Sequence, residues 1–251
     1  MGKLWKASAA VLLALASRGG LAQPPRVPVL VELYTSEGCS SCPPADALLG
    51  SLLHDQSIAS AEVIPIGLHV DYFNHDGWKD AFSSAAYTAR QQSYSTVFGD
   101  DNLYTPQMII DGGVAVPGNE NDRVRHAIER ASGKAHLSVH VAVRESGGKA
   151  QLTIDCPAAP SNAEKIEVIA AITEDGLSSV VTRGENQGRT LHHVAVARTV
   201  QGLDVLSAQP STRTKQMSIG TQWGKELKAV VWLQGTKSRQ VYGAATAAIA
   251  R

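Results

Sequence analysis

The chain has 251 residues with 23 basic and 23 acidic side chains, so its formal charge is zero. Hydrophobic residues make up 43% and charged residues 18%, which is typical of a folded globular protein and too apolar for a disordered one. This charge balance gives no support to binding of nucleic acid or of an anionic membrane. Three cysteines exclude a disulfide-dense scaffold, and the length allows one large domain or two modest ones.

The N-terminus has the pattern of a secretory signal peptide. Lys3 and Lys6 precede a short apolar stretch, and the small residues Gly20 and Ala22 follow at the spacing of a cleavage site. The stretch is too short to span a bilayer as a helix, and no later segment is long enough. We therefore expect residues 1–22 to be removed and the protein to be exported, with the periplasm as the expected compartment. The mature chain would have 20 basic and 23 acidic side chains, a net charge of −3.

The first half alternates strand-like and helix-like patterns. Apolar runs predict strands, two of them buried on both faces, over residues 27–34, 63–70, 107–110 and 114–116. Apolar residues at helical spacing predict helices over residues 43–53 and 122–131. These elements indicate an α/β domain over residues 27–133, with a helical insertion over residues 71–104.

After residue 133 the pattern changes to two-residue alternation broken by polar turns. Strands are predicted over residues 137–143, 152–154, 166–172, 192–200, 215–219, 227–233 and 241–246. Repeated short strands of this kind indicate an antiparallel, sandwich-like all-β domain over residues 134–251.

A C-x-x-C motif, Cys39 and Cys42, follows the first buried strand and lies at the start of the first helix. Two thiols at this spacing can close a small disulfide ring, and a helix N-terminus favours the reactive thiolate. A redox-active dithiol is therefore the leading interpretation. A structural disulfide and half of a metal site are the alternatives, although the chain has no second C-x-x-C to complete a zinc site.

The order strand, C-x-x-C, helix, strand, Thr105–Pro106, hairpin and helix resembles the thioredoxin fold. The resemblance implies that Pro106 is a cis-proline against the dithiol and that Thr105 presents its backbone to substrate; an ordinary trans proline is the alternative. Glu32, seven residues before Cys39, lies where thioredoxin-like proteins often have a buried acid. It is a candidate proton acceptor for the second thiol, unless it points outward or pairs with a cation.

Two features depart from an ordinary thioredoxin. The tryptophan beside the motif and the Gly-Pro between the cysteines are absent, and Pro43 and Pro44 follow Cys42 directly. Because proline is tolerated only in the first helical turn, the helix should begin near Cys42. Asp46, early in that helix, would disfavour a nearby thiolate. The start of the helix near Cys42 and the presence of Asp46 both argue against an unusually low pKa of the Cys39 thiol.

Four segments spread over both halves, at residues 31–46, 69–72, 104–107 and 184–186, carry a narrower resemblance. Through them the chain resembles the secreted bacterial proteins with domain of unknown function 1223. The resemblance implies a thioredoxin-like domain, export and no established reaction.

Several side chains near the motif have more than one interpretation. Residues 72–104 contain eight of the 13 aromatic residues and predict either a peptide-binding groove or a satellite core. His69 could join Cys39 and Cys42 in a soft-metal site or simply bond a backbone group. His192 and His193 point to opposite faces of a strand, so we interpret them as structural.

We therefore expect an exported protein that exchanges thiols and disulfides with protein substrates or a redox partner, without a cofactor. Copper(I) or other soft-metal delivery through the dithiol plus His69 is one alternative. The other is a non-catalytic interaction module in which the disulfide only staples the loop. Cys156, the odd cysteine, is interpreted as a buried inert thiol, although it could also pair with a partner protein or resolve the dithiol.

Overall fold

The computed structural model describes residues 2, 25–75, 77–100 and 102–250. The predicted signal peptide, residues 1–22, lies outside the described residues apart from Gly2. Over the described ranges, no helix is long and apolar enough to cross a membrane.

The first half forms four neighbouring strands and three helices. The strands are β1 (Val27–Thr35), β2 (Ala61–His69), β3 (Gln107–Ile110) and β4 (Val114–Pro117), and the helices are α1 (Pro43–Asp55), α2 (Ala85–Phe98) and α3 (Asn121–Ser132). β2 pairs with β1 in parallel, which requires the α1 crossover, whereas β3 pairs with the other edge of β1 in the antiparallel direction. Each predicted element of this half is present within a few residues of its expected bounds.

Strand β1 is buried on both faces because helices cover both sides of it. Val31 and Leu33 pack with α1 and α3 in one core cluster. The alternate residues Leu30 and Tyr34 pack in another cluster with Tyr87 and Tyr94 of α2. The continuous apolar run thus follows from having a helix layer on each side.

The second half contributes nine strands. They are β5 (His140–Ser146), β6 (Lys149–Cys156), β7 (Ile166–Glu174), β8 (Leu177–Val180), β9 (Thr190–His193), β10 (Val196–Val205), β11 (Ser211–Ser218), β12 (Leu227–Gly235) and β13 (Val241–Ile249). The large sheet has the order β13-β12-β7-β10-β2-β1-β3-β4, and β10 joins β2 through the parallel pairing of Val196 with Gly67. Strands from both predicted domains therefore share one mixed sheet, and the division at residue 133 stays a prediction.

A smaller sheet, ordered β11-β6-β5, packs on the strands that the second half of the chain contributes to the large sheet. Alternate residues of β6, such as Leu152 and Ile154, meet Val168 and Val231 of the large sheet in one apolar cluster. Cys156 is buried in the same cluster. This packing of sheet on sheet explains the two-residue alternation of the second half.

The large sheet curls so that its two halves face each other. Trp232 of β12 is buried in the same cluster as Leu30 and Tyr34 of β1. At the rim, the backbone N–H of Val241 donates to the carbonyl of Asp111, in the turn after β3, over 2.7 Å. The first and second halves of the chain therefore share a core as well as a sheet.

Candidate functional site

The C-x-x-C loop connects the end of β1 to the start of α1, and its cysteines form a disulfide. Cys39 and Cys42 have Cα atoms 5.4 Å apart and are 2% and 0% exposed. Ser40 and Ser41, between them, are exposed. The disulfide therefore lies just beneath the surface, and Cys39 is the more exposed of the two buried residues.

Helix α1 offers few free donors to a thiolate. Cys42 is its N-cap residue and Pro43 its first helical residue, as the sequence predicts. Two prolines remove two N–H groups from the first turn, and the next two, those of Ala45 and Asp46, donate to the carbonyl of Cys42. The first turn of α1 therefore leaves few N–H groups from which a sulfur atom could accept a hydrogen bond.

Pro106 and the first turn of α1 both lie next to Gly118. The Thr105–Pro106 peptide bond is cis, and Pro106 is buried immediately before β3. A Cβ atom placed on Gly118 would lie 3.2 Å from the Cβ atoms of both Ala45 and Pro106. Gly118 thus lies close both to Pro106 and to the helix that begins after Cys42.

Glu32 lies on the other face of the sheet from α1. Its carboxylate accepts hydrogen bonds from Nε of Arg90 at 2.6 Å and from the hydroxyl of Tyr94 at 2.5 Å. Arg90 also donates to Gln234 at 3.0 Å, and its guanidinium lies over the ring of Trp232. Glu32 pairs with a cation, which was the alternative that its position in the sequence left open. The structure does not bring it to the disulfide.

Asp46 is the acid that lies one helical turn beyond Cys42. Residues four apart share a helix face, so its carboxyl group is on the side of Cys42. Burial raises the pKa of Asp46 to about 6, against the opposing influence of His193 and His69. The sequence interpretation treated Asp46 only as unfavourable to a thiolate, although its spacing from Cys42 was the available signal.

Two buried histidine–carboxylate pairs lie at the carboxyl end of β1. Nδ1 of His69 is 2.7 Å from Oδ2 of Asp80, and Nε2 of His193 is 3.2 Å from Oε1 of Glu37. The two imidazole rings are 4.8 Å apart, and the ring of Phe82 lies against both. Histidines from β2 and β9 therefore meet beside the C-x-x-C loop.

Charge pairing controls the protonation of the first pair. Burial alone would lower the pKa of His69, but the carboxylate of Asp80 raises it above its ordinary value. Burial would raise the pKa of Asp80, but His69 and backbone N–H donors lower it. The imidazolium and the carboxylate are therefore favoured together.

The insertion packs against the loop and the core. A Cβ atom on Gly38 would lie 3.0 Å from Cβ of Phe73, so the insertion covers the residue before Cys39. Nε1 of Trp78 donates to Oε2 of Glu37 over 2.8 Å. Tyr87 and Tyr94 are buried in the large core cluster that contains Leu30 and Trp232, not in a separate satellite core.

The second half of the chain reaches the C-x-x-C loop through residues 184–189, here called the 184–189 loop. Nδ2 of Asn186 donates to the carbonyls of Glu37 at 2.8 Å and Cys39 at 2.9 Å. Glu185 accepts a hydrogen bond from the backbone N–H of Ser40 over 2.9 Å. Sequence reasoning assigned no purpose to these residues; the signal was their place among the motifs of the family resemblance.

His193, interpreted from the sequence as structural, contacts Glu37 at the C-x-x-C loop. It is buried and paired with Glu37, whereas His192 is exposed, as their adjacent positions in a strand require. Glu37 is thus held at its side chain by His193 and at its carbonyl by Asn186. Sequence reasoning did not predict a role for Glu37, Asp80 or Asn186, because their partners are distant in the chain.

The described part of the chain contains no assembled set of metal ligands, which the metal-site interpretation would require. There, no group of three or more histidine, cysteine, aspartate or glutamate side chains is arranged to hold a metal ion. Nδ1 of His69 is engaged by Asp80, and Cys39 and Cys42 are bonded to each other. Cys156 lies in the core between the two sheets, and burial raises the pKa of its thiol.

Comparison with known proteins places the chain in a family. It is similar to a solved protein of Agrobacterium tumefaciens, with 26% identity, a TM-score of 0.70 and coverage of 90% of this chain and 96% of that one. HBP35 of Porphyromonas gingivalis shares the fold, with 14% identity, a TM-score of 0.63 and coverage of 91% and 77%. No curated protein matches the chain. The model of a protein family of unknown function, DUF1223, matches residues 30–234, and the chain therefore belongs to the DUF1223 family.

Proposed function

We propose that the protein is an exported, thioredoxin-like protein that exchanges thiols and disulfides with protein substrates through Cys39 and Cys42. One observation carries this proposal: the disulfide lies at the first turn of α1, and the carboxyl group of Asp46, with a pKa of about 6, lies one turn further along. The cis bond before Pro106, and the position of Pro106 and Ala45 around Gly118, support it. Export is supported by the N-terminal pattern and by the disulfide, since disulfides persist in oxidising compartments.

The exchange would begin at Cys39, the more exposed of the two residues. A thiolate of a substrate dithiol attacks Sγ of Cys39, which forms a mixed disulfide and breaks the Cys39–Cys42 bond. The electron pair goes to Sγ of Cys42. Because the first turn of α1 offers few free N–H donors, this sulfur needs a proton, which in our proposal comes from the carboxyl group of Asp46, one helical turn along α1.

The second thiolate of the substrate then attacks the substrate sulfur of the mixed disulfide. Cys39 leaves as a thiolate and takes a proton from water. The substrate dithiol has lost two electrons and become a disulfide, and the Cys39–Cys42 pair has gained them and become a dithiol. The same steps in reverse reduce a substrate disulfide, so the potential of the pair sets the direction.

The reduction potential of the Cys39–Cys42 pair tests the proposal. The mature chain is equilibrated in glutathione and dithiothreitol buffers, and its free thiols are counted by mass. A potential between about −270 and −120 mV, the range of catalytic dithiols, is the expected result. A potential below about −300 mV would overturn the proposal, because glutathione pools do not reduce such disulfides.

Trapping of the mixed disulfide provides a second test with a matched control. In the Cys42→Ala chain, the thiolate of Cys39 should attack a model peptide that carries a disulfide and hold it as a mixed disulfide, because the resolving thiol is absent; the other peptide sulfur leaves as a thiolate. The Cys39→Ala chain retains one thiol of the same pair, but that thiol is fully buried, and it should form less adduct. Equal trapping by the two variants would contradict the assignment of Cys39 as the exchanging sulfur.

A structural disulfide is the second candidate function. The burial of both sulfurs favours it, since an exchanging disulfide must admit a partner thiolate. In that case the bond ties the end of β1 to the start of α1 and stabilises an interaction module. A potential below about −300 mV, together with a large loss of stability in Cys39→Ser, would support this candidate.

A further inference from the structure

The 184–189 loop is an ordered element between β8 and β9. The N–H of Val181 donates to the carbonyl of Arg189, and the N–H of Gly188 donates back to the carbonyl of Val181. Gly184 and Gly188 have φ values of +77° and +81°, a conformation that glycine adopts without steric cost. The loop is therefore shaped by its own hairpin and can present a side chain in a fixed position.

Asn186 is the side chain that this loop presents to the disulfide. It is 1% exposed, and its single NH₂ group donates to two carbonyls of the C-x-x-C loop, those of Glu37 and Cys39. Its Oδ1 accepts a hydrogen bond from Arg189 over 3.1 Å, which fixes which end of the amide faces the disulfide. One NH₂ group bound to two carbonyls sets the spacing between them.

The loop backbone is restrained at further points. Glu37 is held at its carboxylate by His193 and Trp78 and at its backbone N–H by Asp80. The N–H of Ser40 is taken by Glu185. Glu37 is therefore anchored at both its side chain and its backbone, and of the two carbonyls that Asn186 joins, that of Cys39 belongs to the residue whose sulfur changes partner.

Reduction changes the distance between the two sulfurs. They are about 2 Å apart when bonded and separate to van der Waals distance when the bond is reduced. Asn186 bonds the carbonyl of Cys39 itself, so a backbone shift of Cys39 on reduction would change the spacing that one NH₂ group spans. In that case the Asn186 hydrogen bonds stabilise the disulfide form more than the dithiol form.

We propose that Asn186 is a positioning residue that sets the redox balance of the Cys39–Cys42 pair from the second half of the chain. This inference rests on the proposed function for its significance, since the balance decides which substrates the pair oxidises or reduces. It also gives the β-rich half a role at the site. Glu185 acts in the same direction through Ser40, but less strongly because it is exposed.

The test is the shift in reduction potential on removal of the amide. In glutathione or dithiothreitol buffers, the disulfide takes two electrons and two protons from the buffer thiols to give two cysteine thiols. Asn186→Ala should lower the equilibrium constant for disulfide formation about tenfold, which raises the potential by about 30 mV. Gln187→Ala is the matched control, because Gln187 is an exposed neighbour in the same loop, and its potential should equal that of the wild type.

An unchanged potential in a folded Asn186→Ala protein would overturn the inference, because a merely structural residue stabilises both redox forms equally. If Asn186→Ala does not fold, Glu185→Ala decides the question from the surface. That variant should lower the equilibrium constant about threefold, or raise the potential by about 15 mV, and the absence of a shift would overturn the inference.

The two proposals fail in different ways. The absolute potential of the wild type tests the proposed function, whereas the difference between variant and wild type tests the role of Asn186. A wild-type potential below about −300 mV with a clear shift in Asn186→Ala would remove the exchange function and leave the positioning role intact.

Discussion

Two buried ionic clusters lie at β1, and they differ in the cation that each uses. On the face away from α1, Glu32 is paired with the guanidinium of Arg90. At the carboxyl end of the strand, Glu37 and Asp80 are paired with the imidazoles of His193 and His69. Arginine does not lose its proton in proteins, whereas histidine gains and loses one near neutral pH.

The difference separates an ion pair whose cation is an arginine from one, His69 with Asp80, whose cation is a histidine. Glu32 beside Arg90 is a carboxylate acceptor of hydrogen bonds and holds α2, β1 and β12 together through Tyr94 and Gln234. The histidines of the two pairs contact Glu37 and Asp80 at the C-x-x-C loop, and they influence the pKa of Asp46 in the first turn of α1. Closeness in sequence to a dithiol is therefore not sufficient to assign a proton-transfer role to a buried acid. The partner of the acid decides whether it can take part in proton transfer.

The largest effect should come from breaking the pair that contains the arginine. Arg90→Met leaves Glu32, which is 1% exposed, as a buried carboxylate without a cation, so the free energy of unfolding should fall by about 3–5 kcal/mol. Urea denaturation of the oxidised protein at pH 7 measures the loss. The double variant with Glu32→Gln should recover part of it, and the potential of the disulfide should not change. A loss below about 1 kcal/mol in the single variant would contradict the role of this pair.

Breaking the pair of His69 with Asp80 should have a smaller effect that depends on pH. The pKa of His69 is raised and that of Asp80 is lowered, so their attraction is complete between the ordinary values of about 4 for aspartate and about 6.5 for histidine. It is lost as pH rises through the raised pKa of His69 and as pH falls through the lowered pKa of Asp80. His69→Gln should lower the free energy of unfolding by about 2–3 kcal/mol at pH 5.5, and by less above pH 7.

The measurement is urea denaturation at several pH values between 5 and 9. His192→Gln provides the control, because it removes an exposed histidine with no change expected at any pH. A difference between wild type and His69→Gln that grows with pH would show that the ion pair has the opposite linkage.

The smallest effect should come from Asp46, and it should be a gain. The fold raises the pKa of Asp46 from 3.8 to about 6, so the stability that its protonated form contributes below pH 3.8 is lost as pH rises through 6. Asn resembles the protonated form. Asp46→Asn should therefore raise the free energy of unfolding by about 1–2 kcal/mol at pH 8 and change it little at pH 4. Thermal or urea unfolding at both pH values checks this, and an equal gain at both would exclude a titration of Asp46 as the cause.

Local patterns were sufficient to predict most elements of the first half. The apolar run over β1, the helix start at Cys42 and the amphipathic spacing of α3 each depend on neighbouring residues, and each is observed. The alternation of the second half likewise predicted strands. It did not reveal that β10 would pair with β2, because the pairing of Val196 with Gly67 joins segments about 130 residues apart.

Of the candidate site, only the positions of the two cysteines and of Pro106 could be predicted from the sequence. The prediction of Glu32 as a proton acceptor depended on its place seven residues before Cys39 in the sequence. Side chains alternate along a strand, so Glu32 lies on the opposite face of β1 from Leu33 and contacts α2. Asp46 was visible in the sequence, but its raised pKa depends on burial by other elements. The partners of Glu37 come from positions 78, 186 and 193, and no local pattern relates them.

The sequence by itself determined the motif, the strand and helix periods and the position of Pro106, because these depend on covalent order and on residues a few positions apart. Only the tertiary structure decided which acids face the disulfide, which cations neutralise them and that the second half holds the C-x-x-C loop. Those outcomes depend on burial and on contacts between distant segments, which arise only when β2, β9 and the insertion pack around the end of β1.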